Sequence, residues 1–188
     1  KELNQYLGRW GRQTKKILYI PNTCYDFLNN LDKNFNIINN SQNVMRMAYL
    51  GCMGIDRGSK FLIEFCRNNI GSVELLVAGN IRDQNDINEF ENIPNITYLG
   101  QLNYIEALTL IKQVDALPIL YNPMIKLHKM MYPTKFYESM MVGTPIIVSK
   151  GMLGLEDKVI RKNVGYVIDY NDIMQLKNAL EKIKINKS

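Results

Sequence analysis

Histidine and tryptophan each occur once in this 188-residue chain, and cysteine occurs three times. The cysteines, Cys24, Cys52 and Cys66, are scattered, show no metal-ligand spacing and leave an odd count, so they read as reduced thiols rather than a disulfide framework. The single histidine, His128, lies between Lys126 and Lys129 in a segment expected to be a solvated loop. A catalytic imidazole needs an orienting partner, and the sequence offers none nearby. No carboxylate cluster has metal-ligand spacing, so no dedicated metal site is expected. No apolar run reaches the roughly 18 residues of a membrane span, and no signal-peptide pattern opens the chain. Internal repeats and low-complexity segments are absent too. The N-x-S/T matches at Asn39, Asn95 and Asn186 need no glycosylation, because an asparagine-rich chain produces them by chance.

What remains is enough for a core: 46% of the residues are hydrophobic, in a chain of single-domain length. The net charge of +5 invites a nucleic-acid partner, but its distribution argues against one. Residues 1–16 carry +4 and residues 161–188 carry +3, leaving the middle at −2. A nucleic-acid groove needs bases on the folded middle, interleaved with aromatics. Solvated ends account for the excess, with contact to an anionic membrane surface as the alternative.

Residues 1–15 read as a short amphipathic helix, and Lys16–Ile20 (KILYI) as a strand. After an irregular, asparagine-rich stretch over 22–43, two kinds of segment alternate. Strands are expected at Val44–Leu50, Val73–Ala78, Ile96–Leu99, Ala116–Leu120, Ile146–Ser149 and Val164–Ile168. Helices are expected near 58–69, 84–91, 103–113, 134–142, 155–161 and 171–184. Short strands separated by helices imply right-handed crossovers. The fold class is therefore α/β, a Rossmann-like doubly wound parallel sheet of about six strands with helices on both faces. Ligands of such sheets gather at the carboxyl ends of the strands.

The sharpest local pattern is Tyr132–Ser149, YPTKFYESMMVGTPIIVS. Pro133 suits the first position of a helix, where its missing N–H is no loss. The free N–H groups of Thr134 and Lys135, the Thr134 hydroxyl, the Lys135 ammonium and the helix dipole then make a site fit for a phosphate. Glu138, one turn on, suits the hydroxyls of a ribose or hexose. The same residues also fit a capped helix packed on a sheet, with Glu138 in solvent. Tyr49–Gly58, YLGCMGIDRG, is a strand end, a glycine-bearing loop and a helix start. Gly51, Gly54 and Gly58 lack G-x-G-x-x-G spacing, yet such a turn lets a pyrophosphate approach the backbone, with Arg57 supplying a bidentate fork. Glycines recur at two further strand ends, Gly79–Asn80 and Gly100–Gln101–Leu102, and together they keep a crevice open for a flat ligand. Met130, Met131, Met140 and Met141 suit core or crevice walls.

In order and spacing these segments resemble the C-terminal, donor-binding half of GT-B-fold glycosyltransferases, most closely glycosyltransferase family 4, the group 1 glycosyl transferases. KILYIPNTCYDF resembles the strand and linker that open that half, and YLGCMGIDRGSKFLIEF its loop and first helix. VELLVAGN and NITYLGQLNYIEALTLIKQVDALPIL resemble its next strands, PTKFYESMMVGTPIIVS its P-x-K-x-x-E-x-M-x-x-G-x-P form, and NVGYVIDYNDIMQLKNAL its close.

The resemblance implies a retaining, metal-independent hexosyltransferase without a cofactor, using a nucleotide-diphosphate sugar in bacterial polysaccharide or glycolipid assembly. By it, Glu138 binds the ribose. Arg57, Thr134, Lys135, Gly51 and Gly54 meet the diphosphate and sugar, while Gly79, Gln101 and Leu102 line the base. Two residues depart from the family pattern. Met130 stands where E-x7-E has its first Glu, and Cys52 where an Arg usually follows the loop glycine. Residues 1–15 would be left from a preceding acceptor domain, and 16–188 would be the donor domain, inactive alone. A cytoplasmic protein is implied, at most peripheral to the inner face of the membrane. A GT-B sugar-nucleotide epimerase and a degenerate, non-catalytic binding module are the alternatives.

Overall fold

A computed structural model of the chain describes residues 24, 27–32, 35, 44–81, 90 and 92–187. The helix expected over 1–15, the strand at 16–20 and all of the 84–91 helix except Phe90 lie outside these residues.

Strand β1 (Met45–Leu50) shows why the sheet needs two covers. Successive side chains point to opposite faces, and here both sets are buried: Met47 and Tyr49 join one apolar cluster, Ala48 the other. The chain continues through α1 (Ser59–Arg67), β2 (Val73–Ala78), β3 (Ile96–Tyr98), α2 (Tyr104–Gln113) and β4 (Leu117–Ile119). Then come α3 (Lys126–Met130), α4 (Thr134–Val142), β5 (Ile146–Ser149), α5 (Leu153–Lys162), β6 (Gly165–Ile168) and α6 (Ile173–Lys187).

All strand pairs are parallel, in two ladders, β1-β2-β3 and β4-β5-β6. The ladders meet along β1 and β4, where Met47 bridges Ala116 and the Ala48 N–H donates to the Ala116 carbonyl at 3.3 Å. The combined order is therefore β3-β2-β1-β4-β5-β6, that of a Rossmann-like doubly wound sheet, with its topological switch between β1 and β4. Phe61, Phe65, Leu176 and Leu180 from α1 and α6 cover one face. Leu108, Ile111, Phe136, Leu155 and Val159 from α2, α4 and α5 cover the other. Each of the six strands begins and ends within one residue of its expected limits.

Four helices differ from expectation, α1 ending at Arg67, two residues before its expected limit. The segment containing His128, expected as loop, holds the short helix α3. Helix α5 starts two residues early, at Leu153. Helix α6 starts at Ile173 rather than 171, because Asn171 has a φ of 65° and the Asp172 carboxylate accepts the Gln175 N–H at 2.9 Å. Helix α2 opens on a reciprocal capping box between Asn103 and Glu106.

Candidate functional site

The carboxyl edge of the first ladder ends in three glycines that extend the ladder past its strands. The Gly51 N–H donates to the Ala78 carbonyl, and the Gly79 N–H to the Gly100 carbonyl, each at 2.9 Å. At Gly79 no other residue fits: φ is 131°, and a Cβ there would lie 2.2 Å from the Gly51 carbonyl oxygen. The edge is thus low and flat.

The loop from Gly51 to Gly58 is tied down on several sides. Gly58 packs so closely on β4 that a Cβ would come within 2.7 Å of the Leu120 carbonyl oxygen. The Asn122 N–H donates to the Asp56 carbonyl at 2.8 Å. The Tyr49 hydroxyl donates to the Arg57 carbonyl at 3.3 Å, and the Tyr170 hydroxyl to the Ile55 carbonyl at 3.0 Å. Within this frame the Arg57 guanidinium sits 5.5 Å from the Tyr121 ring centroid and donates to the Cys52 carbonyl at 3.4 Å. Burial pushes the Tyr49 and Tyr121 phenols up, and the Arg57 charge only partly opposes this. Both therefore stay neutral, able to donate hydrogen bonds.

Across the switch point stands α4. Pro133 is its N-cap rather than its first helical residue, and no side chain caps the helix start. Thr134 is exposed there. Cys52, Tyr121 and Lys135 line one small cavity at the carboxyl ends of β1 and β4. Arg57 and Lys135 thus each neighbour Tyr121 and Cys52. Lys158 of α5 steadies the helix start: its ammonium lies 4.5 Å from the Tyr132 ring centroid and donates to the Tyr137 hydroxyl at 3.0 Å.

Glu138 is not in solvent. It is 4% exposed, and its Oε2 accepts from the Lys135 ammonium at 3.0 Å. The Tyr104 phenol is pushed up by burial first, and the charges of the Glu138 carboxylate and the Cys24 thiol act in the same direction. Gln101 is exposed and Leu102 half-buried, just past the Gly100 turn. Gly54 is extended, and a Cβ there would meet the Asp56 carboxylate at 2.5 Å. Met140 and Met141 pack against the second apolar cluster, and Met130 and Met131 are half-buried.

His128 overturns its expected setting. It is 4% exposed, with Nδ1 3.0 Å from the Asn122 carbonyl and Nε2 3.4 Å from the Asp56 carboxylate. Tyr49, Tyr121, Asn122 and Tyr170 were also not singled out from the sequence. The one available signal was Tyr121–Asn122–Pro123 directly after an apolar strand, a place where ligand loops lie. A larger cleft, of about 370 Å³, opens at the amino ends of β5 and β6 near Pro145 and Gly165 and contains none of the expected site residues. Among the described residues, no group of three His, Cys, Asp or Glu is placed to hold a metal, and no helix is long and apolar enough to cross a membrane.

The model of the family described as glycosyl transferases group 1 matches residues 32–188. The chain belongs to that family. Solved glycosyltransferases share its fold. Sucrose-phosphate synthase from Thermosynechococcus elongatus is 21% identical, with a TM-score of 0.60 over 77% of this chain and 37% of that one. The lipopolysaccharide outer core galactosyltransferase WaaB, in apo form, is 14% identical, with a TM-score of 0.64 over 98% of this chain and 51% of its own. HepE from Anabaena, in complex with UDP-glucose, is 12% identical, with a TM-score of 0.58 over 77% of this chain and 40% of its own. This group 1 chain thus spans about half or less of each of these three proteins. No curated protein sequence matches it.

Proposed function

We propose that this group 1 chain is the donor-binding half of a retaining glycosyltransferase that takes a nucleotide-diphosphate sugar. One observation carries the reading: Arg57 and Lys135, far apart in sequence, share the surroundings of Tyr121 and Cys52 at the switch point, beside an uncapped helix start. Two cations and free helix N–H groups over a glycine-flattened edge suit a diphosphate. HepE, with the same fold, was crystallised with UDP-glucose, which supports a donor of this class.

In this reading Arg57, Lys135 and the α4 start take the diphosphate charge as it develops on the leaving group, without a metal or cofactor. Gly51 and Gly54 let the phosphates approach. Gly79, Gln101 and Leu102 line the base, and Glu138 meets the ribose through Oε1, the oxygen that Lys135 leaves open. An acceptor domain supplies the remaining catalytic groups, so the chain by itself binds donor without transferring sugar. The enzyme is a hexosyltransferase of bacterial polysaccharide or glycolipid assembly, working in the cytoplasm or at the inner face of its membrane. Calorimetric titration with UDP, GDP and ADP tests the reading. Binding by one of them, weakened about tenfold or more in Arg57→Ala, is expected from a lost charge-assisted contact. No binding at millimolar concentration by any of the three refutes it.

A further inference from the structure

We propose that His128 is a positioning residue for the diphosphate site, a clasp that holds Arg57 in place by joining the two loops that flank the switch point. The proposal rests on the donor-binding reading. The β1–α1 loop carries Asp56 and Arg57; the β4–α3 loop carries Tyr121 and Asn122. Each ring nitrogen of His128 faces one of these loops: Nδ1 lies 3.0 Å from the Asn122 carbonyl, and Nε2 lies 3.4 Å from Asp56 Oδ2. A carbonyl oxygen and a carboxylate oxygen both only accept, so the clasp is closed on both sides when both ring nitrogens carry hydrogens, Nδ1 donating to Asn122 and Nε2 to Asp56. Next to this contact the Asn122 N–H donates to the Asp56 carbonyl at 2.8 Å, a second tie between the same loops.

The ring also lies 5.1 Å, centroid to centroid, from Tyr121, the aromatic surface that carries the Arg57 guanidinium. Arg57, Tyr121, His128 and Asp56 therefore form a closed circuit that returns to the peptide bond between Asp56 and Arg57. Among the described contacts of Arg57, the guanidinium's own hydrogen bond is long, 3.4 Å to the Cys52 carbonyl. Its direction is accordingly set by its neighbours in the circuit. A histidine kept only for packing needs no partner on another segment. This one reaches a carboxylate that is itself 47% exposed and has no need of burial cover. The two loops belong to different ladders of the sheet, so the clasp also fixes the width of the crevice between them.

The test is a double-mutant cycle on the full chain, read by calorimetry with whichever of UDP, GDP or ADP the unaltered protein binds, and by amide hydrogen exchange over residues 51–58. His128→Gln, and Asp56→Ala at the more exposed end of the clasp, should each weaken binding about tenfold. The Arg57→Ala/His128→Gln double variant should bind no more weakly than Arg57→Ala alone, because His128 acts through Arg57. A merely structural histidine gives additive losses instead, and additivity overturns the proposal. Exchange over 51–58 should quicken in both single variants; unchanged exchange overturns the clasp even if no nucleotide binds. Absence of binding by the unaltered chain counts against the donor reading alone. Asp56→Ala keeps the test decisive should His128→Gln fail to fold.

Discussion

The carboxylate of Glu138 is buried, with 5% side-chain exposure, and takes its hydrogen bond from Lys135, three residues earlier on the same helix, at 3.0 Å. Lys135→Ala leaves that carboxylate without its cation in a site nearly closed to water. A loss of about 1–3 kcal/mol is expected, the penalty of a stranded buried acceptor. Glu138→Gln, which removes the charge with the partner still present, should lose less. Urea denaturation of the two variants checks the order.

Gly79→Ala forces a Cβ to within 2.2 Å of the Gly51 carbonyl oxygen at a φ of 131°. Gly71→Ala places a Cβ in open space at a φ of 83°. Only the backbone penalty applies at Gly71, about 1–2 kcal/mol. Gly79→Ala should exceed this clearly, with the β1 and β2 ends shifted apart. Paired denaturation curves give the difference, and equal losses would refute the close approach.

The thiol of Cys66 is pushed up to about 12 by burial, from an ordinary 9.0. The folded state holds the proton more tightly than the unfolded one. This contribution is complete below pH 9.0 and is lost as pH rises towards 12. Cys66→Ala loses packing at every pH but lacks this slope, so the stability gap between it and the unaltered protein should narrow above pH 9.0. Denaturation midpoints at stepped alkaline pH measure the gap. In the native protein near neutral pH, alkylating reagents should modify half-buried Cys52 before Cys66.

Lys158→Met removes the ammonium from between Tyr132, Phe136 and Tyr137 while keeping an apolar stem. About 1 kcal/mol should be lost, the usual worth of a partly buried cation–π contact. The near-ultraviolet signal of the tyrosines should change with it. An unchanged melting temperature would show that α5 does not steady the start of α4.

The strands were legible because a sheet covered on both faces writes them as short, continuous apolar runs, as in Val73–Ala78 and Ile146–Ser149. The positions of Arg57 and Lys135 beside helix starts were legible because each follows a turn or proline that announces one. His128 was not. Its helix has five residues, too few to show a period, and its partner Asp56 lies far away in sequence on another loop. The ion pair of Glu138 was not legible for a different reason. Lys135 was in view three residues earlier, but a lysine at a helix start suggests a phosphate ligand, and its ability to fold back on a buried carboxylate depends on packing that no local pattern encodes.

The meeting of β1 and β4 has a mechanical meaning. Two three-stranded ladders are stitched together there by a single bridge and a few neighbouring hydrogen bonds, against six paired residues between β1 and β2. The sheet's natural tear line therefore runs directly beneath the crevice. A ligand gripping Arg57 on one side and Lys135 on the other lies across that line as a splint. If the donor-binding reading holds, a bound nucleotide should be felt as stiffness at Ala48 and Ala116, residues buried deep below the crevice.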